Sequence, residues 1–188
     1  LANVTLTATG GGTCGTTNPS GQYSCTLPYG YTGTVTPSRA GYTFSPSSVN
    51  YTNVTSTPAT RNYVATAVTF QATGTVTLNG SALAGVTMTP TSGATCTTTN
   101  ASGQYSCTLS YNYTGTVTPS LAGYTFSPVA GSYSNVTATP AAQNYTATAL
   151  TFQAAGTVTL NGGALSGVAM TATGGATCTP TNASGQYS

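Results

Sequence analysis

The sequence predicts an all-β fold of tandem β-sandwich units with a period of 82 positions. Three observations carry this reading. Cys14, Cys96 and Cys178 fall at that interval, as do Phe70 and Phe152, and Pro46 and Pro128. Residues 1–66 align without a gap on 83–148, with 47 identities over those 66 positions, and 149–188 repeat 67–106 in the same register. Thr, Val and Tyr dominate in short alternating runs punctuated by Gly, Pro and Asn, which is strand chemistry rather than helix chemistry.

Residues 67–148 serve as the complete unit. "TFQATGTVTL" (69–78) alternates and is rich in β-branched residues, so it reads as a strand. "NGSALAG" (79–85) is a turn with glycines placed for one. "VTMTPT" (86–91) is the next strand, and "SGA" (92–94) turns it. "TCTTT" (95–99) and "QYSCTL" (104–109) form a pair joined at "NASG" (100–103). "GTVTP" (115–119), "YTFSP" (124–128), "SYSNVTA" (132–138) and "AQNYTATA" (142–149) complete the unit. Seven or eight short strands at spacings of about ten residues are a β-sandwich pattern. The expected core comprises Leu83, Val86, Met88, Tyr105, Leu109, Val117, Tyr124, Phe126, Val136 and Tyr145.

The same alignment sets the expected domains. Residues 1–66 are a unit lacking its first strand, 67–148 a complete unit, and 149–188 a partial one. They are called copies 1, 2 and 3 below. "LANVTL" enters the unit sixteen residues late, and "TNASGQYS" stops at Ser188, just before a cysteine is due. Both ends are expected to be cuts through a longer array.

Composition excludes several functions. The chain has no Asp, Glu, His or Lys, and its only charged side chains are Arg39 and Arg61. General acid–base catalysis needs a group that titrates near the working pH, and nothing stands ready to activate the 44 Thr and 19 Ser. No enzyme activity, catalytic residue or cofactor is expected. Carboxylates for calcium and imidazoles for zinc are missing, so no metal site is expected. Two arginines make no phosphate-binding patch, so nucleic acid is not an expected partner. The apolar runs are too short to span a membrane. The Tyr and Phe series reads as core packing rather than a carbohydrate-binding platform.

Cys14 and Cys25, like Cys96 and Cys107, are eleven residues apart. With the hairpin tip at Ala101-Ser102, Cys96 and Cys107 face each other on adjacent strands, where a disulfide can form. The expected pairs are Cys14–Cys25 and Cys96–Cys107, with Cys178 unpaired. Such a framework implies an oxidising, extracellular or cell-surface setting.

Nine of the twelve asparagines head an N-glycosylation sequon: Asn3, Asn50, Asn53, Asn79, Asn100, Asn112, Asn135, Asn144 and Asn182. Chance in so Ser/Thr-rich a chain would give roughly four. Asn53 and Asn135 recur in register, as do Asn100 and Asn182, while Pro19 blocks the sequon at Asn18. A surface with so little charge needs another source of hydration, and covalent glycans on Asn, Thr or Ser would supply it.

The opening of the unit, "GTVTLNGSALAGVTMTPTSGATCTTTNASGQYSCTL", resembles the carboxypeptidase-regulatory-like family of secreted bacterial β-sandwich modules. The remainder, "YTGTVTPSLAGYTFSPVAGSYSNVTATPAAQNYTA", resembles a tail that accompanies that module in bacterial surface proteins. The resemblance implies an immunoglobulin- or transthyretin-like sandwich used as a spacer, stalk or fibre unit. It carries no catalytic chemistry. Related pilus modules are locked by Lys–Asn isopeptide bonds, which a chain without Lys or acid cannot make; the disulfide is the available substitute.

The expected function is a structural segment of a long extracellular, glycosylated filament or stalk. Its expected partners are neighbouring units of the same chain, covalent glycans and laterally associated copies. Alternatives are an adhesin or carbohydrate-binding module, or a spacer beside a catalytic domain outside this sequence. Strand donation between separate chains, with residues 149–164 filling the first unit, is less favoured than one continuous chain. Residues 165–188 would duplicate 1–24 and compete for the same place.

Overall fold

The structure, a computed structural model, describes residues 1–91 and 93–188. It is all-β, with several sheets in an arrangement consistent with a β-sandwich. Copy 1 holds β1 (Thr5–Ala8), β2 (Thr13–Cys14), β3 (Cys25–Thr26), β4 (Tyr31–Ser38), β5 (Tyr42–Ser45), β6 (Val49–Val54) and β7 (Val64–Ala67). Copy 2 holds β8 (Thr69–Leu78), β9 (Ser81–Ala82), β10 (Thr87–Pro90), β11 (Ala94–Cys96), β12 (Gln104–Ser110), β13 (Tyr113–Ser120), β14 (Tyr124–Ser127), β15 (Gly131–Val136) and β16 (Tyr145–Ala149). Copy 3 holds β17 (Gly156–Thr157), β18 (Thr159–Leu160), β19 (Gly163–Ala164) and β20 (Gln186–Tyr187). Two compact units result, Leu1–Thr148 and Ala149–Ser188.

Copy 2 is built from two layers. One sheet runs β10-β13-β15 and the other β11-β12-β8-β16-β14. Alternation decides which side chains meet between them. Val86, Met88, Tyr113, Val117, Tyr133 and Val136 from the first layer join one buried cluster with Ala72, Val76, Tyr105, Cys107, Leu109 and Tyr145 from the second. Of the expected core, Leu83 and Phe126 pack at the margin of this cluster, and Tyr124 is only half-buried. Asn79 and Gly80 both take positive φ, 50° and 80°, the geometry of a tight hairpin that pairs Leu78 with Ser81. The turn expected at 92–94 begins at Ser92, outside the described residues.

Copy 1 repeats the first layer in the same register. β1 pairs with β4 as Thr5↔Ser38, and β10 pairs with β13 as Thr87↔Ser120. The second layer differs. It consists of two separate ladders, β2-β3 and β5-β7. In copy 2 the counterparts of β3 and β7 are bridged by β8, which pairs antiparallel with β12 over seven residues and parallel with β16 over three. No strand among the described residues takes that place in copy 1. Its core is correspondingly small, with Val4, Leu6 and Val35 at the centre.

Candidate functional site: an open sheet beside a disulfide hairpin

The candidate site is the place between β3 and β7. Its walls already hold the geometry of a filled sheet. In copy 2 the Tyr105 and Tyr145 ring centroids are 6.0 Å apart, and in copy 1 the Tyr23 and Tyr63 centroids are also 6.0 Å apart. The Tyr105 hydroxyl donates to the Gln143 carbonyl at 2.7 Å, and that of Tyr23 donates to the Arg61 carbonyl at 2.9 Å. The Tyr145 hydroxyl donates to the Val117 carbonyl at 2.9 Å, and that of Tyr63 donates to the Val35 carbonyl at 2.8 Å. The cleft is therefore preorganised rather than collapsed.

The difference lies in burial. Tyr105, Cys107, Leu109, Tyr145 and Ala147 are buried, whereas Tyr23, Cys25, Leu27, Tyr63 and Ala65 are half-buried. Burial pushes the phenols up in both copies. Tyr63 is raised to about 12, chiefly by desolvation, with Tyr23 and Tyr51 adding repulsion of its anion. Desolvation also comes first in raising Tyr105, where Tyr133 and Tyr145 add the same repulsion.

A disulfide flanks the site. Cys14 is bonded to Cys25 and Cys96 to Cys107, each pair directly opposed across an antiparallel ladder with Cα atoms 4.1 and 4.0 Å apart. Cys178, in the second compact unit, keeps a free, half-buried thiol.

A buried threonine holds the other end of each hairpin. Thr99 Oγ1 accepts from Val86 N–H at 2.9 Å and donates to the Leu83 carbonyl at 2.8 Å. Thr17 makes the same pair of bonds to Val4 and Leu1, and Thr181 to Val168 and Leu165. The sequence reading placed Thr99 in a strand. The hydroxyl instead competes for backbone partners, and β11 ends at Cys96. A threonine recurring three positions after each of Cys14, Cys96 and Cys178 was the only sequence signal for this latch.

The sequons fall into distinct settings. Asn100 Oδ1 accepts from the N–H groups of Ser102 and Gln104, both at 2.9 Å, forming an Asx turn. Asn182 does the same, and so does Asn18, whose sequon Pro19 blocks. The turn thus accounts for asparagine at this position without reference to sugar. Asn144 Oδ1 accepts from the Thr75 N–H and hydroxyl at 3.0 and 3.1 Å, tying the start of β16 to β8. Asn3, Asn53, Asn79, Asn112 and Asn135 all take positive φ, where asparagine is tolerated better than most residues. Asn53 and Asn135 are exposed, and neither side chain makes a hydrogen bond among the described residues; only their backbone N–H groups are engaged, by Thr32 and Thr114. Asn50 is exposed on β6.

Copies 1 and 2 meet through one residue. Val68 alone separates β7 from β8; its N–H donates to the Gly41 carbonyl at 2.8 Å and its carbonyl accepts from Tyr111 N–H at 3.1 Å. A Cβ on Gly41 would stand 2.8 Å from the Tyr111 ring, so the close approach requires glycine there.

No helix is long and apolar enough to cross a membrane, and no cluster of potential metal ligands occurs among the described residues. Comparison with known protein families, with curated proteins and with solved structures yields no match to this chain.

Proposed function

We propose that this chain is a structural segment of a long extracellular, glycosylated filament or stalk. In this reading its units are tandem immunoglobulin- or transthyretin-like sandwiches repeating at the interval that separates Cys14 from Cys96, as the family resemblance implies. The observation that carries the proposal is the junction at Val68. A single residue, hydrogen-bonded on both sides, leaves no flexible linker between copies 1 and 2. Two cross-strand disulfides suit an oxidising setting. A sequence without Asp, Glu, His or Lys offers no acid–base chemistry, which favours a structural role over a catalytic one. Asn53 and Asn135, exposed and free at the side chain, are the leading sites for sugar.

Intact mass of the secreted protein, before and after deglycosylation, combined with electron microscopy, tests this reading. The expected result is a mass well above the 18.5 kDa of this segment's bare polypeptide, falling on deglycosylation, and elongated particles of uniform stiffness. Bare mass together with compact particles overturns it.

A further inference from the structure

We propose that the groove beside Arg39 in copy 1 binds an acidic saccharide, with the arginine holding the carboxylate of a uronic acid residue. The inference does not depend on the filament reading, and none of the residues lining the groove belongs to β3 or β7. Its starting point is a charge without a counter-charge. Arg39 follows β4 and is half-buried, with its guanidinium carbon 5.2 Å from the centre of the Tyr42 ring. Its Nη1 donates to the Ala2 carbonyl, and the other guanidinium N–H groups have no partner among the described residues. The chain has no Asp or Glu, so none of its own side chains can neutralise this cation. Arg61, the other arginine, is exposed and left to water. A guanidinium pinned against a ring and partly stripped of water, with donors to spare, suits an anion that comes from outside the chain.

The surroundings of Arg39 select a sugar. The groove, of about 580 Å³, is bounded by β1, the end of β4, the turn after it and β5. The turn is fixed by the Tyr42 N–H, which donates to the Arg39 carbonyl at 3.2 Å. Thr5, Ser38, Tyr42 and Ser47 line the groove, and their hydroxyls make no hydrogen bond among the described residues. Each hydroxyl can both donate and accept, which matches the hydroxyls of a sugar ring. The planar carboxylate of a uronate takes two parallel N–H bonds from the guanidinium fork, and the ring hydroxyls meet those of the walls. Phe44, the other aromatic residue of the groove, packs against the core of copy 1. Charge and hydroxyls, rather than an aromatic platform, carry the recognition.

Copy 2 supplies the comparison. Its equivalent groove, of about 500 Å³, keeps Thr87, Ser120, Tyr124 and Phe126 in its walls. It keeps the turn as well, with the Tyr124 N–H donating to the Leu121 carbonyl at 3.2 Å. The groove is thus a feature of the unit, present in copy 2 with β8 in place and in copy 1 with a further copy following. Two positions differ. Leu121 stands where copy 1 has Arg39, and Val129 where copy 1 has Ser47. Copy 2 therefore has the shape without the charge, and one acidic residue of the saccharide binds per pair of copies.

An NMR titration of the full, oxidised chain with tri-galacturonate tests the proposal. Shifts centred on the amides of Ser38, Arg39 and Tyr42 are expected, with a dissociation constant of about a millimolar that weakens as salt is added. The fully methyl-esterified trisaccharide keeps the shape and loses the charge, and is expected to bind about tenfold weaker or worse. Arg39→Leu turns the copy 1 groove into that of copy 2, and is expected to erase the preference for the acid over the ester while the unfolding midpoint stays nearly unchanged. In that variant, Leu121→Arg with Val129→Ser is expected to restore the preference, with the shifts now at Ser120 and Tyr124. Acid bound no better than ester, a preference that survives Arg39→Leu, or a transfer to copy 2 that fails each overturns the proposal. So does hexaglutamate binding at Arg39 more tightly than the trisaccharide, which would mark an acidic-peptide site along β5.

Discussion

Tyr105 and Tyr23 hold equivalent places in copies 2 and 1 and make equivalent hydrogen bonds, yet Tyr105 is buried and Tyr23 is only half-buried. The same holds for Cys107 against Cys25 and Leu109 against Leu27. Nothing in the local sequence separates these pairs; both stretches read "GQYSCTL". What differs is one neighbour. With β8 alongside, "QYSCTLS" is a seven-residue strand, whereas the matching stretch of copy 1 is a strand only over Cys25–Thr26. Strand length and burial here are properties of the pairing, and local propensity only permits them.

The largest expected effect breaks the comparison at β8 itself. Val76 is fully buried, and Val158 in the second compact unit is half-buried. Val76→Asp is expected to cost about 3–5 kcal/mol in guanidinium unfolding, because it leaves a carboxylate in the core without a partner. Val158→Asp in dilute protein is expected to stay within about 1 kcal/mol. Equal losses would mean that β8 is not what closes copy 2.

Removing the disulfides should sharpen the contrast. Both loops span eleven residues, so chain entropy predicts the same loss of about 2–3 kcal/mol for Cys14→Ala with Cys25→Ala and for Cys96→Ala with Cys107→Ala. Cys107 is fully buried and Cys25 is not, so the copy 2 pair should lose more, and the excess measures the packing that β8 adds.

The threonine latch should show no such contrast. Thr99→Val and Thr17→Val each strand a backbone N–H, at Val86 and Val4, and each should cost about 1–3 kcal/mol. A much smaller loss at Thr17 would show that the gap loosens the hairpin as well as the sheet.

The smallest effect is confined to alkaline solution. The sequence has no Asp, Glu or His, so stability should be nearly flat from roughly pH 4 to 9. An unfolded tyrosine ionises near pH 10, whereas burial holds Tyr63 protonated to about 12 and raises Tyr105 as well. The unfolded chain therefore releases protons first. The stabilisation is complete below pH 10 and, for Tyr63, is lost as pH rises from 10 through about 12. Tyr105→Phe should flatten this decline more than Tyr23→Phe, as seen by circular dichroism along a pH titration.

Much of the strand pattern was legible because alternation survives in a Thr-rich chain. Residues 69–78 and 104–109 were read as strands and lie in β8 and β12. The core was legible where a large side chain marked it, as at Met88 or Leu109, and missed where a small one filled it, as at Ala72 and Ala147. Tyr113 was missed because a tyrosine at a strand end looks the same whether it faces the core or water, and Tyr133, inside β15, because alternation alone does not say which face is inward. The facing cysteines were readable, since hairpin spacing fixes who stands opposite whom. Asn100 and Asn182 were read as sequons, and the Asx turns that they also form lie in backbone contacts that a sequon pattern does not encode. That copy 1 lacks its first strand was legible from the alignment; where that strand would lie was not, because β8 pairs in parallel with β16 from the opposite end of copy 2, and no local pattern reports on such a partner.

That parallel pairing also sets how the protein meets a pulling force. β8 is the first long strand of copy 2 and β16 the last, and they lie side by side as Tyr145↔Val76, Thr146↔Thr77 and Ala147↔Leu78. Tension along the chain drags the start of β8 one way and the end of β16 the other. The rungs between them are loaded together, in shear, rather than peeled one at a time. Should they part, the Cys96–Cys107 bridge still withholds the eleven-residue stretch it closes, roughly 35 Å of extended chain, from the lengthening that follows.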